Sequence, residues 1–393
     1  MLSIGKGVVS IFVTKVLVAL LGLATVILTS QWLGAEGRGV VSLFVTSVAF
    51  LQLFCDYGCS SVIINLSYHR NQYRLWQSAL VWVMMICTLS YVFVLFFKEI
   101  PYVMLVPVGA FLLSAVNVHN HLLMGNRQVN KRNIILVVQP LLLLGLFAGL
   151  YFWGNKDVSA YPMAFIAGSL ISSVLSYGSI AKMLKASKKA FQFEEEILRQ
   201  GFWVQSGHAI QFLNYRINFF LIVFLIDDAA LGIYNNAIVL AEALWILGHS
   251  MGQMLHMKIL NTKDVVEQRR LTMKLLFYNL GGTVLMLVVL LLIPAEFWAY
   301  LFSKDFGQIK ELLLWLAPGV VFFSISNIIN HYFHAKNQFK WIVWCNICGL
   351  VAGTIACYLL IGEYGITGAC MAWSAALGVA MLAYLILYFK RKV

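Results

Sequence analysis

"LTSQWLGAEGRGVVSLF", residues 28–44, interrupts an apolar stretch with three glycines, one acid and one base, after which the apolar run resumes. A segment that turns and crosses back needs such a break, because glycine reaches backbone conformations closed to other residues. "LIDDAALGIYNNAIVL", residues 225–240, has the same character. A shift of 193 residues lays Leu33 on Ile226, Gly39 on Gly232 and Val40 on Ile233. The two segments therefore read as the first hairpin tips of two halves, both tight extracytoplasmic turns.

Composition sets the class around these turns. Of 393 residues, 61% are hydrophobic and 11% charged, against about a quarter charged in an average soluble domain. Twelve apolar runs, about 8–33, 39–65, 75–97, 102–125, 134–153, 160–182, 202–226, 231–257, 273–293, 312–333, 341–361 and 367–389, are each long enough for a hydrocarbon core about 30 Å thick. Lys15 interrupts the first run and no small-residue cleavage site follows it, so it reads as a retained helix rather than a secretory signal.

Basic residues orient the spans, since Lys and Arg accumulate in cytoplasmic loops. With the amino terminus inside, 21 of the 28 fall on that side, from Lys6 through the groups at 70–74, 127–132, 182–199, 258–274 and 336–340 to Lys390, Arg391 and Lys392. The other side receives Arg38, Lys98, Lys156, Lys304 and Lys310, and Lys15 and Arg216 lie within spans. This predicts an all-α polytopic membrane protein of 12 transmembrane helices with both termini cytoplasmic. The net charge of +12 is mostly this bias, and its scatter over many segments gives no nucleic-acid patch.

A second internal match, shifted by 210, sets "VGAFLLSAVNVHNHLLMGNRQ" (108–128) against "PGVVFFSISNIINHYFHAKNQ" (318–338). The difference between the two shifts fits a longer loop around 258–273. Six helices per half is an even number, so the copies run parallel, as in transporters with a substrate cavity between halves. The expected division is a six-helix lobe over 1–182, a cytoplasmic linker over 183–201 read as a charged surface helix, and a second six-helix lobe over 202–393.

With these residues in view, "QWLGAEGRGVVSLF" resembles the hairpin R-x-L-G-x-x-x-x-G of bacterial polysaccharide flippases, and "DDAALGIYNNAIVL" resembles the G-x-Y-x-x-A start of their eighth helix. Gln31 stands where that family often has arginine. The superfamily also holds multidrug exporters and the lipid II flippase. The resemblance covers essentially the whole chain. It implies translocation of an undecaprenyl-diphosphate-linked oligosaccharide, such as an O-antigen unit, across the bacterial inner membrane by alternating access, alongside polysaccharide polymerase and chain-length proteins.

Such a substrate needs cations for its diphosphate and amides or hydroxyls for its sugars. Gln205, His208, Gln211, Tyr215 and Asn218 recur at spacings of three or four, with Arg216 at the edge of the stripe. Asn235, Glu242, His249 and His256 are seven apart, with Gln253 near the same face. Aligned polar groups are costly in a bilayer unless they face a bundle interior or water; the simpler reading is hydrogen bonding between helices. Lys15, Arg216, His208, Gln211, Tyr215, Asn218, Asn235 and His249 are the substrate-binding candidates. Asp56 and Glu242 are the ion-coupling candidates, and equal depth matches Arg216 with Glu242 and Lys15 with Asp56.

Other polar residues read as structural. His119 and His121 point to different sides of a helix, and His331 and His334 share a face without a third ligand; their place near helix ends suggests solvation by headgroups. Cys345 and Cys348 have half-site spacing but no second pair, and all seven cysteines read as packing residues in helices. Pro107 and Pro318 are expected to kink two equivalent helices.

No P-loop, His-Glu-x-x-His or loop carboxylate pair is present, so neither an enzyme, a metal site nor a cofactor is expected. A cation-coupled small-molecule or multidrug exporter is the nearest alternative: two intramembrane bases favour an anionic substrate, and two acids temper that. A membrane glycan polymerase fits less well, because the longest outer connection, about 294–311, is too short for a folded catalytic site.

Overall fold

The computed structural model describes residues 2–59, 62–94, 101–262 and 264–390, without the side chains of 2–12, 203 and 204. Of the bases counted above, Lys98, Lys263, Arg391, Lys392 and the side chain of Lys6 lie outside the described residues. Among the described residues all regular structure is helical: α1 Leu2–Cys59, α2 Val62–Leu66, α3 Gln72–Val94, α4 Val106–Gly125, α5 Val129–Phe152, α6 Ala160–Ala186, α7 Glu196–Leu225, α8 Asp228–Ala243, α9 Trp245–Asn261, α10 Val265–Leu292, α11 Ala295–Phe302, α12 Ile309–Ala335 and α13 Phe339–Lys390.

Ten of the helical stretches are long and apolar enough to cross a membrane. Two are double length. A straight helix of the 58 residues of α1 would extend about 87 Å, so it must break, and it does so at Gly34 (φ 68°, ψ −171°) inside the opening motif. The 52-residue α13 breaks likewise at Gly365 (φ 56°, ψ −133°). Outward faces are apolar, with Leu89, Phe93, Val289 and Leu359 all exposed, while Thr29, Ser30, Asn218, Asn236 and Asn279 are buried. That distribution suits a hydrocarbon solvent, where helices associate through small residues and hydrogen bonds rather than apolar burial.

The chain divides into two compact units, Met1–Leu33 with Val40–His208, and Gly34–Gly39 with Ala209–Val393. In the first unit α4 is central, packed by α3, α5 and α6; its core includes Val41, Phe44, Ala110, Val118, Phe147 and Ala164. In the second, α12 is central, packed by α8, α9, α10 and α13, with Leu255, Leu276, Ile328, Ile329 and Tyr384 in its core.

Both central helices end in the same turn. Arg127 (φ 58°) and Asn337 (φ 55°), which are 210 residues apart, occupy the left-handed region. The following amides, of Gln128 and Gln338, donate to the carbonyls of Leu123 and Phe333 at 2.8 and 2.9 Å. This is the geometry that closes a helix by satisfying its last carbonyls.

Three local expectations are corrected. Pro107 lies in the first turn of α4, where its missing N–H costs nothing, so of the two only Pro318 is inside a helix. Residues 258–273 form no long loop: α9 runs to Asn261, α10 starts at Val265, and Asp264 caps α10 by accepting from the Val266 amide at 2.9 Å. Between α6 and α7 the linker is an extended strap over 188–194 rather than a helix. Asn71 donates to the Ser187 carbonyl at 2.9 Å, Arg74 to the Ala190 carbonyl at 3.1 Å, and the Glu194 amide to Ser78 at 2.9 Å. Arg70 pairs with Glu196 at 2.8 Å, above a small apolar cluster of Val62, Leu66, Leu75 and Ile197. The Ala190 carbonyl and the Glu194 amide of the strap thus find side-chain partners on this first-unit surface in place of helical ones.

Candidate functional site

The strongest polar feature of the second unit joins α7 and α8. Arg216 donates Nη1 to Glu242 Oε1 at 2.7 Å and Nη2 to Oε2 at 2.8 Å. The two side chains keep 24% and 20% of their surface exposed, so a solute could reach the pair. Two parallel charge-assisted bonds fix both partners, and the guanidinium also lies 4.8 Å from the Phe219 ring centre. The expected partnership of Lys15 with Asp56 does not form: Lys15 is exposed, while Asp56 sits beside Cys59 with its Oδ1 buried and without a hydrogen-bond partner. Equal depth places two residues on a level, but helix rotation decides whether they meet, and in α1 it does not bring them together.

Around the pair, Gln211 donates to the Tyr215 hydroxyl at 3.0 Å. Asn218, 2% exposed, donates to the Tyr234 hydroxyl at 3.2 Å and the Ala369 carbonyl at 3.3 Å. Asn218 is thus consumed by the fold, and Asn235 is also buried. Tyr215 leads into an aromatic stack: its ring lies 5.1 Å from Trp245, which lies 3.9 Å from Phe323 and 5.8 Å from Trp373. His249 is exposed and meets Phe323 edge-on at 5.7 Å.

His208 is exposed at the end of the first unit's chain and Gln205 is buried there, so the expected α7 stripe is shared between the two units. The stripe at intervals of seven is also interrupted. At Leu244 the backbone tightens, with its amide bonded to the Ala241 carbonyl three residues back. Asn235 and Glu242 precede that tightened turn, and His249 and His256 follow it.

Sequence reasoning missed Arg38, counted as an outer loop base. It is 5% exposed, and its Nε donates to Asn236 Oδ1 at 3.1 Å. Asp305 accepts from the Ala35 amide at 3.3 Å in the same unit. A lone arginine between glycines was the available signal. His119 is corrected too. It is buried rather than solvated by headgroups: its Nε2 accepts from Trp76 at 3.1 Å, which leaves Nδ1 to donate to Ser176 at 2.7 Å, and Ser176 donates on to the Ser173 carbonyl.

The first unit also holds a cavity of about 410 Å³ lined by Thr14, Asn130, Asn133, Ile134, Val137 and Val138. Cys345 is buried and Cys348 exposed. Among the described residues no three His, Cys, Asp or Glu side chains are placed to hold a metal ion.

A family model described as polysaccharide biosynthesis protein matches residues 4–254. No curated protein matches the chain. Solved structures match along almost its whole length. An inward-facing multidrug resistance MATE family transporter of the MOP superfamily has a TM-score of 0.78 at 16% identity, covering 95% of this chain and 94% of its own. The lipid II flippase MurJ, in an inward closed conformation, has a TM-score of 0.79 at 15% identity, covering 98% and 87%. A mutant of the Vibrio cholerae MATE transporter VcmN has a TM-score of 0.63 at 13% identity, covering 98% and 94%. At these identities the shared property is the fold.

Proposed function

The chain belongs to the polysaccharide biosynthesis protein family, and on that premise we propose that it is a flippase, moving a polyprenyl-diphosphate-linked oligosaccharide between membrane leaflets by alternating access. The observation that carries this reading is Arg216: a fixed cation inside a membrane-spanning unit, still a quarter exposed, suits a diphosphate. Gln211, Tyr215 and His249 offer amide, hydroxyl and imidazole groups to sugars, and Lys15 and His208, both exposed, offer further cationic or hydrogen-bonding contacts. Substrate anion competing for Arg216 would release Glu242 to take up a proton or cation, biasing the two conformations; Asp56 is the corresponding acid of the first unit.

In this reading the broken helices α1 and α13 each cross twice, giving twelve spans with both termini cytoplasmic in a bacterial inner membrane. The substrate is an O-antigen unit or a similar polysaccharide repeat, handed to a polymerase and chain-length proteins.

A multidrug exporter is the second reading, favoured by Glu242 lying near the Tyr215–Trp245–Phe323 stack, a combination that suits an organic cation. The test is deletion of the gene. A flippase leaves a lipid-linked glycan accumulating on the cytoplasmic leaflet with drug susceptibility unchanged; an exporter gives the reverse.

A further inference from the structure

The cavity of the first unit is graded in polarity. Asn130, Asn133, Ile134, Val137 and Val138 recur along α5 at the intervals that put residues on one face of a helix, and Thr14 of α1 completes the lining. Along α5 the two amides come first and the three aliphatic side chains follow, within a helix rise of about 12 Å. Because α5 is long and apolar enough to cross a membrane, the amides lie where it enters and the aliphatic groups lie deeper.

The same face continues beyond the cavity. Ile134 is 62% exposed and Leu141 52%, and Gly145 and Gly149 follow at intervals of four with open space where a Cβ would stand. The cavity therefore opens along the outside of α5 rather than into the core. From Asn130 to Gly149 the open face is about 28 Å long, close to the thickness of a hydrocarbon core.

The entrance is basic. Arg127, Lys131 and Arg132 fall within six residues, and the sequence holds no acid from 100 to 156. Arg127 and Lys131 are exposed, and Arg132 donates Nη1 to Asn133 Oδ1 on the cavity wall at 3.5 Å. The ion pairs among the described residues use other bases. A soluble anion would answer these charges and leave the aliphatic wall bare, whereas a neutral lipid would cover the wall and leave the charges unanswered. A molecule with an anionic head and a hydrocarbon chain does both.

We propose that this cavity binds an anionic phospholipid, its phosphate at Lys131 and Asn130 and one acyl chain along Ile134, Val137 and Leu141. The volume of about 410 Å³ is within the range of about 300–1,000 Å³ usual for small-molecule sites, and suits a headgroup with the first part of a chain. The rest of the chain follows the open face of α5. Nothing in this site depends on transport, so it stands apart from the flippase reading.

The test is native mass spectrometry of the delipidated full chain, titrated with dioleoylphosphatidylglycerol, dioleoylphosphatidylcholine and glycerol 3-phosphate. Wild type is expected to retain one phosphatidylglycerol at least fivefold more tightly than phosphatidylcholine. Lys131→Gln is expected to weaken phosphatidylglycerol binding by about fivefold, the effect of one base at an anionic headgroup. Val137→Phe fills the cavity without changing charge and should weaken it at least as much. Position 131 is exposed, so the charge arm stands even where Val137→Phe does not fold. Equal affinity of wild type for the two phospholipids would overturn the proposal, as would undiminished phosphatidylglycerol binding in Lys131→Gln or in a folded Val137→Phe. Glycerol 3-phosphate bound as tightly as phosphatidylglycerol would make this a site for a soluble phosphate ester and overturn the lipid assignment.

Discussion

Gly39 and Gly232 make the same contact in opposite directions within the second unit. A Cβ on Gly39 would overlap the carbonyl of Asp228, and a Cβ on Gly232 would overlap the carbonyl of Ala35. Residues 35 and 39 become 228 and 232 under one shift of 193 residues. The likeness of the two hairpin tips thus has a physical cause: each is the other's binding surface, and both must lack a side chain at the point of closest approach.

Gly39→Ala and Gly232→Ala are therefore each expected to destabilise this packing by about 1–3 kcal/mol, the usual cost of overfilling a tight contact. Because the obstruction is backbone, a rotamer change cannot relieve it. Gly22→Ala, with open space around its Cβ, should be neutral or slightly stabilising, since alanine is the better helix former. Thermal unfolding of the three variants in detergent checks this, and equal melting temperatures would show that the tips do not pack as described.

Hydropathy makes the hairpins legible, because a run far longer than a bilayer must break and glycine marks where. The Arg216–Glu242 partnership is legible for a related reason: neighbouring antiparallel helices convert sequence distance from a turn into depth. Rotation about the helix axis has no such signature, and so Lys15 and Asp56, equally well matched in depth, stay apart. The approach of α9 to α12 is hidden for a third reason: Gly252 and His331, where a Cβ would overlap the imidazole ring, belong to different helices, and no spacing in the sequence relates them. The strap between α6 and α7 reads as a charged helix until its partners Arg70, Arg74 and Ser78 are known.

That strap carries a pH prediction. The hydrogen bond from Arg70, then that from Gln200, hold the Glu196 carboxyl below its ordinary value of 4.5, and Glu196 precedes the apolar stretch of α7 that starts at Gln205. A depressed carboxylate contributes stability that is fully present above its unfolded value and is lost as pH falls through the lower folded one. Glu196→Gln imitates the protonated state. Amide exchange over 187–195 should be faster in the variant than in wild type at pH 6, and the two should converge as pH falls through the lowered folded value of Glu196. A difference independent of pH would mean that the charge on Glu196 does not hold the strap.

The last prediction separates structure from mechanism at Arg216 and Glu242. Removing either partner strands a charge inside the membrane. Loss of one member of a fully buried pair costs about 3–5 kcal/mol; with 24% and 20% of the side chains exposed, Arg216→Gln or Glu242→Gln should cost less, about 1–3 kcal/mol after screening. The double variant leaves no stranded charge and keeps two amides able to bond, so its stability should return close to wild type, a coupling that a double-mutant cycle measures directly. Transport need not follow stability. If the pair only permits its own charges to exist, the double variant should restore glycan export as well as the melting temperature. If the substrate anion must displace Glu242 from Arg216, the double variant should insert, melt normally and export nothing. The bidentate geometry and the residual exposure of both side chains favour the second outcome; a double variant that complements a deletion strain would assign the pair a structural role alone.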